Sequence, residues 1–274
     1  MSTSSFFTKL NLWIRIRTRK IAWRWMKEPA PAQWCFIVGC YNSGTTLLNQ
    51  LLGLHPEIGT MPNEGQFYTD QLPRGATFGL RRLWALKPEL FRLDESSHAG
   101  IDVSKLKKEW AYFYNNRKRP VLLEKTIANA ARTRWFQKYF SPAAFIVLVR
   151  DPYAVAEGIR RKEGHSLEDA ITQWKVSYQQ IFDDLPFIQK KLVLTYEDLT
   201  ADPQKVLHQI TSFLEIRPFE IKIDGKEFTV HKVKSEIGNK NSSSYKKLSP
   251  EDYTLINTIA GEWIGKLGYQ LRLS

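Results

Sequence analysis

Residues Phe36 to Leu48 read FIVGCYNSGTTLL. An apolar run, Phe36-Ile37-Val38, meets Gly39. A turn of small and polar residues follows, then Gly44-Thr45-Thr46 and a Leu-rich helical pattern. A strand, a tight loop and a helix N-terminus in that order form an anion cradle: backbone N–H groups point inward and the helix dipole favours negative charge. Gly39 and Gly44 have the spacing of a Walker A loop, but Thr45 stands where that loop has its lysine. A cradle without the lysine suits a 5′-phosphate and is poorly built for hydrolysing a nucleoside triphosphate.

Positioning this loop requires a sheet. Cys35–Val38 is the first predicted strand, and a helix follows from about Gly44 to Gly53. His55-Pro56-Glu57-Ile58 leads to a short strand and then to the turn Pro62-Asn63-Glu64-Gly65. Pro120–Leu123 is a second apolar strand, ending in Glu124-Lys125-Thr126. Ala143–Val149 (AAFIVLV) lacks polar alternation, as expected of a buried central parallel strand. It ends in Arg150-Asp151-Pro152, with a helix from about Tyr153. Leu192–Thr195 is a fourth strand, and a helix runs from Asp202 or Pro203 to about Leu214. Asn239–Ser244 is a polar loop, and a last helix spans Glu251 to about Gly265. Strand–helix alternation predicts an α/β, P-loop-containing three-layer fold with a central parallel sheet flanked by helices. Residues 1–33 read as a basic aromatic segment and 34–274 as one domain, with a mainly helical insertion around 66–118 capping a site.

The chain has 274 residues, 43% of them hydrophobic, with nine Trp, eleven Tyr and fifteen Phe. That is enough for a sizeable core and excludes a mainly disordered chain. The net charge of +12 points to acidic partners. Cys35 and Cys40 flank an extended strand, which holds them too far apart to bridge, so both read as buried thiols. No Cys/His cluster has metal-ligand spacing, and no apolar run reaches the roughly 18 residues of a membrane span. The first 27 residues carry seven cations (Lys9, Arg15, Arg17, Arg19, Lys20, Arg24, Lys27), no acid, and interleaved Phe6, Phe7, Trp13, Trp23 and Trp25. Arg15 and Arg17 interrupt the apolar core that a signal peptide needs. Such a segment either lies on an anionic membrane surface or packs on the domain as a frayed helix.

In a doubly wound sheet, ligands bind outside the carboxyl ends of the strands. Here those ends carry the 41–46 loop, Lys125, Arg150 and Tyr196-Glu197. Arg150 occupies the place of a Walker B carboxylate and suits a second phosphate better than magnesium.

These pieces, in this order, resemble the sulfotransferases that use 3′-phosphoadenosine 5′-phosphosulfate. Tyr41-Asn42-Ser43-Gly44-Thr45-Thr46 resembles the family's 5′-phosphosulfate loop, and Leu123-Glu124-Lys125-Thr126 resembles an element of its bacterial and Golgi branch. Val149 to Ala156 (VRDPYAVA) resembles the 3′-phosphate segment. Leu194 to Leu199 (LTYEDL), with Asp202-Pro203 and Phe213-Leu214, and Leu267-Gly268-Tyr269 resemble later family stretches. The likeness covers roughly 34–270. It implies nucleotide contacts from Tyr41, Asn42, Ser43, Gly44, Thr45, Thr46, Arg150, Gly158, Lys240 and Ser244. It implies release of adenosine 3′,5′-bisphosphate and no metal requirement. Two positions depart from the pattern: Asn42 stands where the family often has Lys or Arg, and Gly158 where it often has Ser.

A base must take the acceptor hydroxyl's proton. The resemblance offers Glu64, otherwise a solvated loop acid. His165 is the second candidate, otherwise an exposed loop histidine. Lys125 either contacts the transferring sulfonate or pairs with Glu124. Glu197 reads as structural, and Arg81-Arg82 and Lys105–Lys108 as solvated faces or acceptor-binding cations. The expected reaction is sulfuryl transfer to a carbohydrate or lipid-linked hydroxyl, the partner a glycan or glycolipid and not nucleic acid. The expected location is the cytoplasm, with residues 1–27 at the inner membrane face. The competing readings are a non-catalytic, membrane-associated anion-binding protein and a P-loop kinase.

Overall fold

The computed structural model describes residues 12–18, 21–97, 100–221, 228–230 and 233–273, and of 228–230 and 233–235 the backbone alone. After a helical stretch at 12–18, the chain runs β1 (Gln33–Gly39), α1 (Thr45–Leu52), β2 (Ile58–Thr60), α2 (Val103–Phe113), β3 (Val121–Glu124), α3 (Thr133–Tyr139) and β4 (Ala143–Val149). It continues through α4 (Pro152–Glu163), α5 (Leu167–Asp184), β5 (Lys191–Thr195), α6 (Tyr196–Ala201) and α7 (Pro203–Leu214). A hairpin of β6 (Phe228–Val230) and β7 (Val233–Ser235), then α8 (Asn241–Tyr245) and α9 (Pro250–Lys266), complete it.

Strands β1–β5 form one parallel sheet in the order β2-β3-β1-β4-β5. β1 lies at its centre, and successive residues point to opposite faces. Trp34, Phe36 and Val38 enter one apolar layer; Cys35 and Ile37 enter the other. Both faces are covered, so β1 has no polar alternation. The second layer is filled from α1 by Leu47, Leu48, Leu51 and Leu52, and from α7 by Val206, Leu207 and Ile210. The first is filled from α5 by Ile171, Trp174, Tyr178 and Ile181, whose spacing keeps one helical stripe inward.

The insertion at 66–118 differs from the sequence expectation. It is mostly short 3-10 turns (Gly65–Tyr68, Gly75–Phe78, Trp84–Leu86, Pro88–Leu90), followed by α2 as its one α-helix. Pro73 and Pro88, with left-handed backbone at Gly79 and Arg82, interrupt longer helices. The long helix α5 and the β6–β7 hairpin were not anticipated. Both cysteines are buried and unpaired; burial pushes the Cys40 thiol up to about 12, which makes it inert.

Phe36 locks the first layer. Its ring centroid lies 4.6 Å from Phe136, 5.3 Å from Phe145 and 5.7 Å from Phe140. Phe36→Ala should cost about 3–5 kcal/mol in urea unfolding. A loss below about 1 kcal/mol would show that the layer collapses around the gap.

Candidate active site

The carboxyl edge of the sheet opens into a cavity of about 1110 Å³. Its floor is the loop after β1. The chain turns there by two left-handed residues, Asn42 (φ 62°) and Gly44 (φ 90°). Gly44 is required twice over, since an added Cβ would also sit 2.6 Å from the Tyr196 ring. From beneath, the Tyr178 hydroxyl donates to the Leu148 carbonyl at 2.9 Å and lies 2.8 Å from Ser43 Oγ. Ser43 is thus buried under the loop and does not line the cavity; of the loop residues expected to meet ligand, it serves as support.

Arg150 leaves the end of β4 and crosses the cavity wall. Its Nη1 donates to the Asn42 carbonyl at 2.7 Å and its Nε to Asn241 Oδ1 at 2.8 Å. Its guanidinium lies 3.9 Å from the centre of the Tyr196 ring, a cation–π contact. Glu197 has the structural role read from sequence: it accepts from Asp151 N, Asn241 Nδ2 and the Tyr269 hydroxyl at 3.2, 2.6 and 3.0 Å.

Asn42 also receives Lys162 Nζ on its Oδ1 at 2.7 Å. Gly158, one turn before Lys162 on α4, leaves room for the Asn42 amide, which would lie 3.2 Å from a Cβ there. Asn42 Nδ2 is buried and has no hydrogen-bond partner among the described residues. Lys162 was not singled out in the sequence, although its i+4 spacing from Gly158 puts both on one helix face. Desolvation, then the like charges of Arg161, Arg82 and Arg150, lower the Lys162 ammonium to about 8, although the residue keeps exposed surface.

Glu124 and Lys125 point to opposite sides, as strand neighbours must. Glu124 is buried and accepts from Gly65 N at 2.8 Å, from Thr126 Oγ1 and from Asn129 Nδ2. Lys125 therefore does not pair with Glu124. Its Nζ donates to Glu64 Oε1 at 3.1 Å and to Thr46 Oγ1 at 3.3 Å. Trp110 Nε1 holds the Gly65 carbonyl at 3.1 Å, and Gln66 Nε2 donates to Glu64 Oε2 at 2.5 Å. A carboxylate, an ammonium and a hydroxyl are thus fixed together at the first turn of α1.

Tyr41, Asn42, Gly44, Thr45, Thr46, Glu64, Lys125, Arg150, Gly158, Lys240 and Ser244 all line the cavity. His165 does not: it stands in the α4–α5 turn, where its Nε2 lies 3.0 Å from the Arg81 carbonyl. Arg82 and Arg81 line the rim and pair with Glu163 at 2.9 and 3.6 Å. Lys105 and Lys107 pair instead with Asp70 and Glu28 away from the cavity. Among the described residues, no three His, Cys, Asp or Glu side chains are grouped to hold a metal.

Comparison with known proteins agrees with this architecture. The family model of the sulfotransferase family matches residues 35–220, and the chain belongs to that family. Curated relatives include protein-tyrosine sulfotransferase A of Caenorhabditis elegans, 26% identical over 246 residues, covering 85% of this chain and 61% of the relative. Protein-tyrosine sulfotransferase 1 of Danio rerio is 26% identical over 248 residues, covering 85% and 66%. The chain thus spans less than two thirds of these relatives' length. Among solved structures, the sulfotransferase domain of the Synechococcus PCC 7002 olefin synthase shares the fold at a TM-score of 0.55, with 23% identity over 86% of this chain and 98% of that one. A mouse sulfotransferase complexed with PAP shares it at 0.52, with 14% identity and 86% coverage of each chain.

Burial pushes the Glu124 carboxyl from 4.5 up to about 7, against the lowering effect of its hydrogen-bond donors. Between these values the folded chain keeps a proton that the unfolded chain has lost. This group's contribution therefore makes stability fall as pH rises from about 4.5 to 7. Glu124→Gln cannot titrate and should flatten that part of the profile, read from urea midpoints at closely spaced pH values. An unchanged slope would refute the assignment.

Proposed function

We propose that this protein transfers a sulfuryl group from 3′-phosphoadenosine 5′-phosphosulfate to a hydroxyl acceptor. The observation that carries the reading is the Glu64–Lys125–Thr46 cluster at the mouth of a phosphate cradle that lacks a Walker lysine. Two features fit such a nucleotide: the Asn42 Nδ2, which has no hydrogen-bond partner among the described residues, and the separate cation, Arg150, at the end of β4. The 41–46 loop would hold the 5′ side; Arg150, Lys162 and Lys240 would hold the 3′-phosphate. The nucleotide supplies the sulfuryl group and a phosphate leaving group.

The chain's own contribution is positioning and charge. Glu64 accepts the acceptor's hydroxyl proton as the acceptor oxygen bonds to sulfur. Lys125 sits beside it and offsets the negative charge gathering on the sulfonate and on the bridging oxygen of the breaking bond. Asn42 is uncharged, and Lys162 brings a cation to it. Protonated Lys162 favours a phosphate dianion, so affinity should weaken as pH rises through about 8.

The acceptor would enter beyond Glu64, where Arg74, Arg81 and Arg82 also line the cavity. The likeness to protein-tyrosine sulfotransferases makes a tyrosyl peptide the first acceptor to test. The carbohydrate or lipid-linked hydroxyl expected from sequence is the second. A mass-spectrometric screen of a tyrosyl peptide, a carbohydrate and a lipid-linked alcohol with the sulfate donor decides among them.

Titration calorimetry should show adenosine 3′,5′-bisphosphate binding much more tightly than AMP, and Arg150→Ala should remove most of the preference. Equal affinities would sink the reading. Glu64→Gln keeps shape and removes basicity; turnover should fall about 10²–10⁴-fold with nucleotide affinity near that of the unsubstituted protein. Normal turnover would show that the proton leaves by another route.

A further inference from the structure

The described residues of the N-terminal basic segment do not line the cavity, yet they form a surface of their own. The helical stretch 12–18 rests on α2. Leu12 packs against the main core, and the Arg15 guanidinium lies 5.1 and 5.2 Å from the Tyr112 and Phe113 ring centres and donates to the Tyr112 carbonyl. These contacts use one side. The other side is bare: Trp13 is 50% exposed, and Ile14 and Ile16 are exposed beside it. The guanidinium of Arg17 sits 3.9 Å from the Trp13 ring centre. Further along, Ile21 is 57% and Trp25 75% exposed.

Large apolar side chains on a protein surface usually occur singly. Here five of them fall within a dozen or so positions, interleaved with exposed Arg17, Arg24 and Lys27. No acidic residue precedes Glu28, which is paired with Lys107 at 3.1 Å. An aromatic and aliphatic surface studded with one sign of charge matches a bilayer interface with anionic headgroups. An acidic protein partner would match the cations but leave the apolar side chains at a polar rim. Among the described residues, no helix is long and apolar enough to cross a membrane.

We infer that residues 13–18 and 21–27 form a peripheral docking surface for anionic lipid, seated on α2 and apart from the cavity. Buried rings set it apart from the cavity. Arg15 covers Phe113; Phe113 stacks on Tyr68 at 4.0 Å; Tyr68 closes the 3-10 turn that begins just after Glu64. Two aromatic layers therefore separate the docking surface from the turn that carries the base. This inference does not depend on the chemistry proposed for the cavity.

The test is sedimentation of the full chain with vesicles of phosphatidylcholine and phosphatidylglycerol in equal parts, and with phosphatidylcholine alone. The chain should sediment with the mixed vesicles and far less with the neutral ones, and high salt should release it. Replacing Trp13, Ile14 and Trp25 together by Ser should abolish sedimentation. Trp25→Ser alone, at a site too exposed to affect folding, should weaken it measurably. Arg17→Gln with Lys27→Gln should weaken it about 30-fold, each cation near the surface being worth about 1 kcal/mol. Circular dichroism and bisphosphate affinity should stay unchanged throughout. Failure of the full chain to sediment with mixed vesicles would overturn the proposal, as would undiminished sedimentation of the triple variant. So would a dimer, seen by light scattering, that the triple variant dissolves while vesicle binding persists.

Discussion

Arg150 is the group on which the ligand edge of this fold depends. One guanidinium grips the carbonyl of Asn42, the side chain of Asn241 and the face of Tyr196. These residues come from the loop after β1, the start of α8 and the start of α6, which are far apart in sequence. Hydrogen bonds from a charged donor contribute about 1.5–3 kcal/mol each, and a loop with two left-handed residues needs such an anchor. Asn241 is itself oriented by Glu197, which also takes the Tyr269 hydroxyl. The C-terminal residues thereby support a loop formed by the first strand.

Charge around the cavity is arranged so that its cations are held by neutral or paired acceptors. Arg150 and Lys162 both donate to Asn42, from opposite sides. Lys125 is paired with Glu64, Arg82 with Glu163 and Arg161 with Glu157. Carbonyl and amide oxygens release a cation to an anionic ligand more readily than a buried carboxylate does, because no opposite charge is left behind. The Asn42 contacts are thus suited to exchange, while Glu157, buried between Arg161 and Ser244, fixes the base of α4.

The sheet and the phosphate loop were legible in the sequence because apolar strands buried on both faces leave uninterrupted runs, and because Gly44 marks a turn that other residues resist. Arg150 was legible from its place at the end of AAFIVLV. Less was readable between 66 and 118. There, short 3-10 turns are set by long-range contacts such as Arg132 to the Phe91 and Pro73 carbonyls, which leave no periodic trace. His165 was the second candidate base under the family resemblance; its ring is spent on the Arg81 carbonyl. The pairing of Lys125 with Glu64 was hidden by a simpler neighbour. Adjacent Glu124 invited an ion pair that strand geometry forbids.

Lys162 shows how a neutral residue in a loop can be given a cation by another element. Asn42 and Gly158, taken separately, each remove a ligand-binding group from the sequence motif. In the fold they are adjacent: the missing side chain at 158 is what admits the Asn42 amide. The next turn of α4 then places Lys162 against that amide. A Cβ at 158 would sit 3.2 Å from the Asn42 amide nitrogen, so a larger residue there would push that amide aside. Together with Lys162, Asn42 and Gly158 bring positive charge to the phosphate loop from the neighbouring helix, which a reading confined to the loop's own residues cannot detect.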